Sequence, residues 1–357
     1  MKLFACSVCH QVVFFENVVC TRCGSRLGYL PDRAVVSALE EASAGAYTAL
    51  APAAEGARYR RCDNDVEHAV CNWAVPVDTD DRLCRSCALT TTIPDPSNPV
   101  AKDAWGRLEL AKRRLLYTLL ALGLPVEPRT PDGRGLAFVF AEDRDGEKVY
   151  TGHANGVVTI NVAEADDPTR EAMRRDMGEA YRTLLGHCRH EIGHYYWDRL
   201  VRDGNRLDAF RERFGDERAD YDQARERHYA NGPPPDWPAR HVSAYASMHP
   251  WEDWAETFAH YLHMVDTLET ARSYGLALRP PAVEGASLPN VTARRLDFDD
   301  FHDLVTAWVP LTMALNSLNR GMGLPDLYPF VLSGDAVRKL QLVHDIVEGA
   351  TRGSGST

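Results

Sequence analysis

Eight of the nine cysteines in this 357-residue chain lie within its first 87 residues, and their spacing constrains how that part of the chain can fold. Cys6 and Cys9 form one CxxC pair, and Cys20 and Cys23 form another. The two thiolates of such a pair converge on one tetrahedral zinc ion, and two pairs complete its coordination. The residues between the pairs are rich in β-branched and aromatic side chains, as in a hairpin. We predict a zinc ribbon over residues 1–30 with one structural zinc.

A second group of early cysteines is less regular. Its members are Cys62, Cys71, Cys84 and Cys87, of which the last two form a CxxC pair. We predict a second zinc-ribbon-like module over residues 58–95 that holds another structural zinc, with His68 as an alternative ligand in place of Cys62 or Cys71. A redox dithiol is the competing interpretation, but it would place its CxxC at a strand-to-helix junction. The alanine-rich residues 31–57 predict a short helix or a connector.

Charge and hydropathy narrow the class of partner. The formal net charge of −11 is not that of a nucleic-acid or anionic-membrane binder, and no window approaches the ~18 apolar residues of a membrane span. We therefore expect no membrane partner and disfavour nucleic acid. An apolar signal segment does not precede the first cysteines, so we expect a cytoplasmic protein.

Periodicity predicts the remaining elements. A helix is expected over residues 103–122, with Asp103 as its N-cap and Gly123 as its stop, and strands over 136–141 and 157–162. Further helices are expected from Pro168 to about Leu200 and over 251–273, 299–320 and 335–348. Residues 351–357 are predicted to be a disordered tail.

The most specific motif is His190-Glu191-Ile192-Gly193-His194, which lies inside a predicted helix. Histidines four residues apart project from one helical face and can bind one metal ion. The glutamate beside the first histidine can reach a water at that ion without ligating it and can accept the water's proton. We predict a catalytic zinc on His190 and His194, with Glu191 as general base. Two surface histidines without metal are the competing interpretation.

Two glutamates on a later helix compete to be the third ligand. Glu252 and Glu256 lie one helical turn apart on one face, so one can bind zinc while the other accepts a hydrogen bond from a liganding imidazole. Their spacing does not decide which does which. A metzincin is excluded because Trp197 and Leu200 stand where that class needs Gly and His.

This order of motifs resembles the gluzincin metallopeptidases, and residues 245–258 are locally similar to the catalytic domain of anthrax lethal factor. The resemblance implies that Glu252 is the third zinc ligand and that Glu256 supports a liganding histidine. It also implies that Tyr245 donates a hydrogen bond to the oxyanion of the tetrahedral intermediate. With its cysteine pairs and residues 156–197, the chain resembles over nearly its full length the bacterial zinc-binding metallopeptidases that carry an N-terminal zinc ribbon.

The sequence thus predicts an α+β chain: a mostly helical, zincin-like metallopeptidase domain with a small sheet over residues 100–350, preceded by one or two zinc ribbons. Its expected activity is zinc-dependent hydrolysis of peptide bonds in a peptide or protein substrate. The ribbons are expected to dock a substrate or protein partner. Two alternatives stay open. One is a binding or scaffold protein, for protein or nucleic acid, with a non-catalytic metallopeptidase-like domain; the other is an amidase or isopeptidase.

Overall fold

The computed structural model describes residues 1–43, 45–54, 56–144, 146–176, 181–282, 284–285 and 287–354. The chain forms two compact units, one of residues 2–173 and one of residues 174–357 together with Met1. Both helices and sheets are present, as the predicted fold class requires. Among the described helices, none combines the length and the apolar character that a membrane span requires.

The strands and helices of the described residues follow one another along the chain. The strands are β1 Phe4–Ala5, β2 Val12–Val13, β3 Leu27–Leu30, β4 Val35–Ser43, β5 Ala46–Ala49, β6 Arg58–Arg61, β7 Ala74–Pro76, β8 Thr90–Thr92, β9 Ala137–Ala141, β10 Gly152–Ala154, β11 Val157–Asn161, β12 Ala277–Leu278 and β13 Val291–Thr292. The helices are α1 Asp63–Val66, α2 Pro99–Ala121, α3 Asp167–Asp176, α4 Leu184–Tyr196, α5 Leu207–Phe214, α6 Tyr221–Asn231, α7 Trp237–Arg240, α8 Pro250–Tyr274, α9 Phe301–Gly321 and α10 Gly334–Ser354.

The first unit begins with the hairpin β1–β2 and continues into a five-stranded antiparallel sheet in the sequential order β3 to β7. The prediction of a helix or connector over residues 31–57 was wrong, because strands β4 and β5 occupy this segment. Gly45, with φ of +76°, lies in the turn between them. Leu39 packs in one core cluster with Tyr59 of β6. Pairing and burial outweigh the weak helix preference of the alanines.

A second sheet of the same unit has the order β10-β11-β9-β8. Strands β9 and β11 are parallel and lie where the sequence predicted them. Helix α2 is also confirmed, but its predicted N-cap was wrong: Asn98 accepts hydrogen bonds from the backbone N–H groups of Val100 and Ala101. Pro99 occupies the first helical position, where its missing N–H costs nothing. The helix therefore starts four residues before Asp103.

The second unit is mainly helical, and α4 and α8 pack against each other within it. The predicted helices near residues 251–273, 299–320 and 335–348 are confirmed as α8, α9 and α10. The sequence did not reveal α5, α6 and α7, because they are short and bury few apolar side chains. Helix α10 runs to Ser354, so the first part of the predicted tail is helical, and residues 355–357 lie outside the described residues.

Helices α4 and α8 approach closely at Gly193. A Cβ atom on this residue would lie 2.9 Å from the Cα atom of Ala255 and 3.1 Å from its carbonyl oxygen. The indole N–H of Trp254 donates to the carbonyl oxygen of Gly193 at 2.9 Å. One turn further along, Tyr196 stacks on Phe258 with 5.4 Å between ring centroids. The spacing of the two helices is thus set by backbone contact.

Gly193→Ala is expected to destabilise the protein by about 1–3 kcal/mol, because the added methyl group meets backbone that cannot move aside. The added methyl group should also move α4 and α8 apart, and this displacement should weaken zinc binding between the two helices. Denaturant unfolding and zinc titration measure the two effects. Gly106→Ala in α2 is the matched control, because its Cβ would meet nothing closer than Val70 at 3.7 Å, and alanine is the better helix former. Equal stability of the two variants would contradict the close contact.

Candidate metal centres

Both groups of four cysteines converge in the structure, and in each group the four sulfur atoms lie within 4.8 Å of one another. The Sγ–Sγ distance is 3.6 Å for Cys6–Cys23, for Cys9–Cys20 and for Cys71–Cys84. A disulfide would hold its sulfurs at about 2.05 Å, and none of the nine cysteines, every one of them described, forms one. Sulfurs about 2.3 Å from a tetrahedral zinc lie about 3.8 Å apart. The observed spacing fits zinc.

The second cysteine group is buried throughout. Backbone N–H groups point at its sulfurs: Cys84 donates to the Sγ of Cys62 at 3.3 Å, and Cys87 donates to the Sγ of Cys84 at 3.4 Å. Such N–H···S bonds stabilise thiolates. His68 is not part of the group, and its ring packs against Trp105 with 5.3 Å between centroids. The alternative in which His68 replaces a cysteine is therefore not supported.

The third group lies in the second unit, where α4 presents His190 and His194 toward α8. The Nε2 atom of His190 lies 3.0 Å from the Oε2 atom of Glu252, and the Nε2 atom of His194 lies 3.5 Å from the same oxygen. The structure thus brings together the two predicted histidines and the glutamate that the family resemblance favoured. Glu252 is 2% exposed and stands in the first turn of α8, where the helix dipole favours a negative charge.

Hydrogen bonding shows that these residues fit a metal cation. The Nδ1 atom of His190 lies 2.7 Å from the Oε1 atom of Glu256, which assigns the imidazole proton to Nδ1 and leaves the Nε2 lone pair facing Glu252. Among the described residues, no hydrogen-bonding group other than the two histidine Nε2 atoms faces the Oε2 atom of Glu252. A buried carboxylate oxygen facing ring nitrogens in this way is stabilised by a cation between them. Two imidazoles and one carboxylate are a ligand set of catalytic zinc.

Glu256 supports the site without facing the two Nε2 atoms. Its Oε1 atom accepts the hydrogen bond from His190, and its Oε2 atom accepts one from the hydroxyl of Ser243 at 2.6 Å. Burial opposes ionisation of Glu256, but the hydrogen bond from His190 and the hydrogen bond from Ser243 outweigh it and lower the pKa to about 2. Glu256 is therefore ionised and fixes the ring orientation of His190.

Glu191 follows His190 on α4 and is 8% exposed. Burial raises the pKa of this carboxyl above its ordinary value. Its carboxylate is not in the group of converging ligand atoms. A carboxyl group with a raised pKa beside a metal site is well suited to exchange protons.

Two tyrosines border the group. Tyr245 lies in a 3₁₀ turn just before α8, with its ring centroid 6.0 Å from that of His190. Burial, and next the negative charge of Glu252, raise the pKa of Tyr245, so it keeps its proton. Tyr221 is the first residue of α6, and its hydroxyl donates a hydrogen bond to the Oε1 atom of Glu252 at 2.8 Å.

Other residues around the group have structural roles. The ring of Trp251 lies over that of His194, with 3.8 Å between centroids. His249 is the N-cap of α8: its Nδ1 atom accepts from the backbone N–H of Trp251, and its Nε2 atom lies 3.0 Å from the carbonyl oxygen of Ala219. Sequence reasoning missed Tyr221 and Ser243, and no motif in their segments could have revealed them.

Two groups of four cysteines and one group of two histidines and a glutamate define a zinc-binding protein, and the last group has the ligand set of a zinc metallopeptidase. The chain belongs to the family described as "putative zinc-binding metallo-peptidase", whose model matches residues 101–346. A zinc-ribbon domain model matches residues 3–98. The family resemblance seen in the sequence and the expectation of zinc are thereby confirmed.

Three relatives from mycobacteria are described as uncharacterized proteins. The chain is similar to uncharacterized proteins of Mycobacterium bovis and of two strains of Mycobacterium tuberculosis. Each is 44% identical over 350 residues, which covers 98% of this chain and 96% of the relative. No solved structure matches significantly. The local similarity to lethal factor stays a prediction.

Proposed function

We propose that this protein is a zinc-dependent metallopeptidase that hydrolyses peptide bonds in a peptide or protein substrate. The convergence of two histidine Nε2 atoms and one Glu252 oxygen, with the buried residue Glu191 on the same helix as the two histidines, carries the proposal. A zinc scaffold would need the three ligands alone. Burying a further carboxyl that does not bind the metal costs free energy of folding. We therefore expect that Glu191 is buried there because it takes part in the reaction.

Each residue has a role in this proposal. His190, His194 and Glu252 would hold a zinc ion, which would supply the Lewis acidity that polarises a carbonyl oxygen and lowers the pKa of a water. Glu191 accepts a proton from the attacking water and returns it to the leaving amine nitrogen. Tyr245, which keeps its proton, donates a hydrogen bond to the oxyanion as it forms. Both cysteine sites hold structural zinc in the part of the chain that we propose docks a substrate or protein partner.

Zinc stoichiometry tests the metal sites of this proposal. Wild-type protein is expected to hold about three zinc ions per chain, and the double variant His190→Ala/His194→Ala about two, because three groups of ligands are present. Elemental analysis of purified protein gives both numbers. The control is His302→Ala, which removes an exposed histidine of α9 and should keep all three ions. Two or fewer ions in wild type, with no loss in the double variant, would favour the binding-protein alternative.

Hydrolysis is tested directly with a library of peptides. Wild-type protein is expected to cleave members of the library, and a zinc chelator is expected to stop the cleavage until zinc is restored. The His190→Ala/His194→Ala protein should be inactive under all these conditions. Cleavage that survives both the chelator and the double variant would contradict a role for this site.

A further inference from the structure

The two oxygens of the Glu252 carboxylate have different surroundings. Oε2 lies 3.0 Å from the Nε2 atom of His190 and 3.5 Å from that of His194. Oε1 instead accepts a hydrogen bond from the hydroxyl of Tyr221 at 2.8 Å. The side chain of Glu252 is almost completely buried, so water does not compete for either oxygen. The orientation of the carboxylate therefore depends on the groups that bond to it.

A carboxylate beside a metal ion can bind through one oxygen or through both. Rotation about its last carbon–carbon bond interconverts the two modes, and a hydrogen bond to one oxygen opposes that rotation. A metal ion near the Nε2 atoms meets Oε2, while the phenol of Tyr221 occupies Oε1. Partners that orient ligands in this way commonly change metal affinity when they are removed.

Tyr221 is well placed for this role within its helix. It begins α6, whose N-cap Asp220 accepts a hydrogen bond from the backbone N–H of Gln223 at 2.9 Å. The rest of α6 is largely exposed, and Ala224 is its buried residue. The ring of Tyr221 packs against those of His249 and Trp251, at the start of α8. The hydroxyl of Tyr221 thus links this helix directly to Glu252.

We infer that Tyr221 is a positioning residue that keeps Glu252 monodentate by holding its Oε1 atom, so that the metal ion meets Oε2. This inference rests on the metal site of the proposed function. It does not depend on the reaction, because its readouts are metal affinity and metal geometry.

Tyr221→Phe in the full-length protein removes the hydroxyl and keeps the ring. Zinc affinity of this site, measured by competition with a chelator, is expected to fall about 10–100-fold. With cobalt in place of zinc, the visible d–d bands should weaken, because a bidentate Glu252 raises the coordination number. The His190→Ala/His194→Ala protein supplies the spectrum of the two cysteine sites, which is subtracted. Tyr274→Phe, at an exposed tyrosine of α8, is the matched control and should match wild type.

Tyr221→Gln separates the hydrogen bond from packing, because an amide can donate to the carboxylate although it lacks the ring. Partial recovery of affinity and of the cobalt bands relative to Tyr221→Phe supports the inference. Wild-type affinity and bands in Tyr221→Phe would overturn it, and so would equal losses in the Phe and Gln variants. A protein that binds metal in this way yet cleaves no peptide would contradict the proposed function and leave this inference standing.

Discussion

Glu191→Gln is expected to abolish hydrolysis, with a fall of about 100- to 10,000-fold, while zinc content stays at the wild-type level. Glutamine has the size of glutamate but cannot accept a proton from water. Because Glu191 is not among the converging ligand atoms, its replacement should leave metal binding intact. The rate of peptide cleavage and elemental analysis of the same preparation give both values.

The matched control for this variant is Glu212→Gln on α5, which changes an exposed carboxyl in the same way and should keep full activity. Activity of Glu191→Gln within a few-fold of wild type would show that another group serves as base. Zinc loss in Glu191→Gln would show that the carboxyl helps to hold the metal.

Glu252→Ala and Glu256→Ala are expected to differ in metal content. Glu252→Ala should lose the zinc of this site, which leaves about two ions per chain, because the carboxylate oxygen that faces both Nε2 atoms is gone. Glu256→Ala should keep the ion at saturating zinc and bind it about 10–100-fold more weakly, because His190 loses the acceptor at its Nδ1 atom. Elemental analysis and chelator competition measure the two effects.

Both glutamates are buried or nearly so, so thermal unfolding of each variant is measured alongside. Comparable melting temperatures would assign a difference in zinc content to the ligands and not to the fold. Normal metal in Glu252→Ala together with metal loss in Glu256→Ala would show that the two residues have the opposite roles.

The metal-binding patterns could be predicted from the sequence because their chemistry is local. A CxxC pair closes within one turn, and two histidines four residues apart share a helical face whatever surrounds them. Glu252 and Glu256 are equivalent by the same rule, so spacing could not separate them. What distinguishes them in the structure is the position of α8 against α4, which puts one carboxylate at the Nε2 atoms and the other at Nδ1 of His190.

The features that escaped prediction depend on contacts between distant segments. Tyr221 and Ser243 reach the two glutamates from segments 31 and 13 residues away, and neither segment has a pattern that marks them. Strands β4 and β5 form from alanine-rich sequence because neighbouring strands pair with them. The helix or strand preference of the residues decides the type of an element only where tertiary contacts are weak. Strand pairing on both sides of β4 and of β5 outweighs that preference here.

The backbone contact at Gly193 bears on when the ligands are brought together. Since α4 and α8 touch through a glycine and an alanine, folding itself sets the distance between the histidines and Glu252. The metal then meets a preorganised site, and little ordering of the chain accompanies its capture. The first ribbon is the opposite case, because β1 and β2 have two residues each and a zinc ion would have to supply much of their folding free energy. In one chain, folding would thus assemble the site of His190, His194 and Glu252 before the metal binds, whereas zinc binding would drive the folding of the first ribbon.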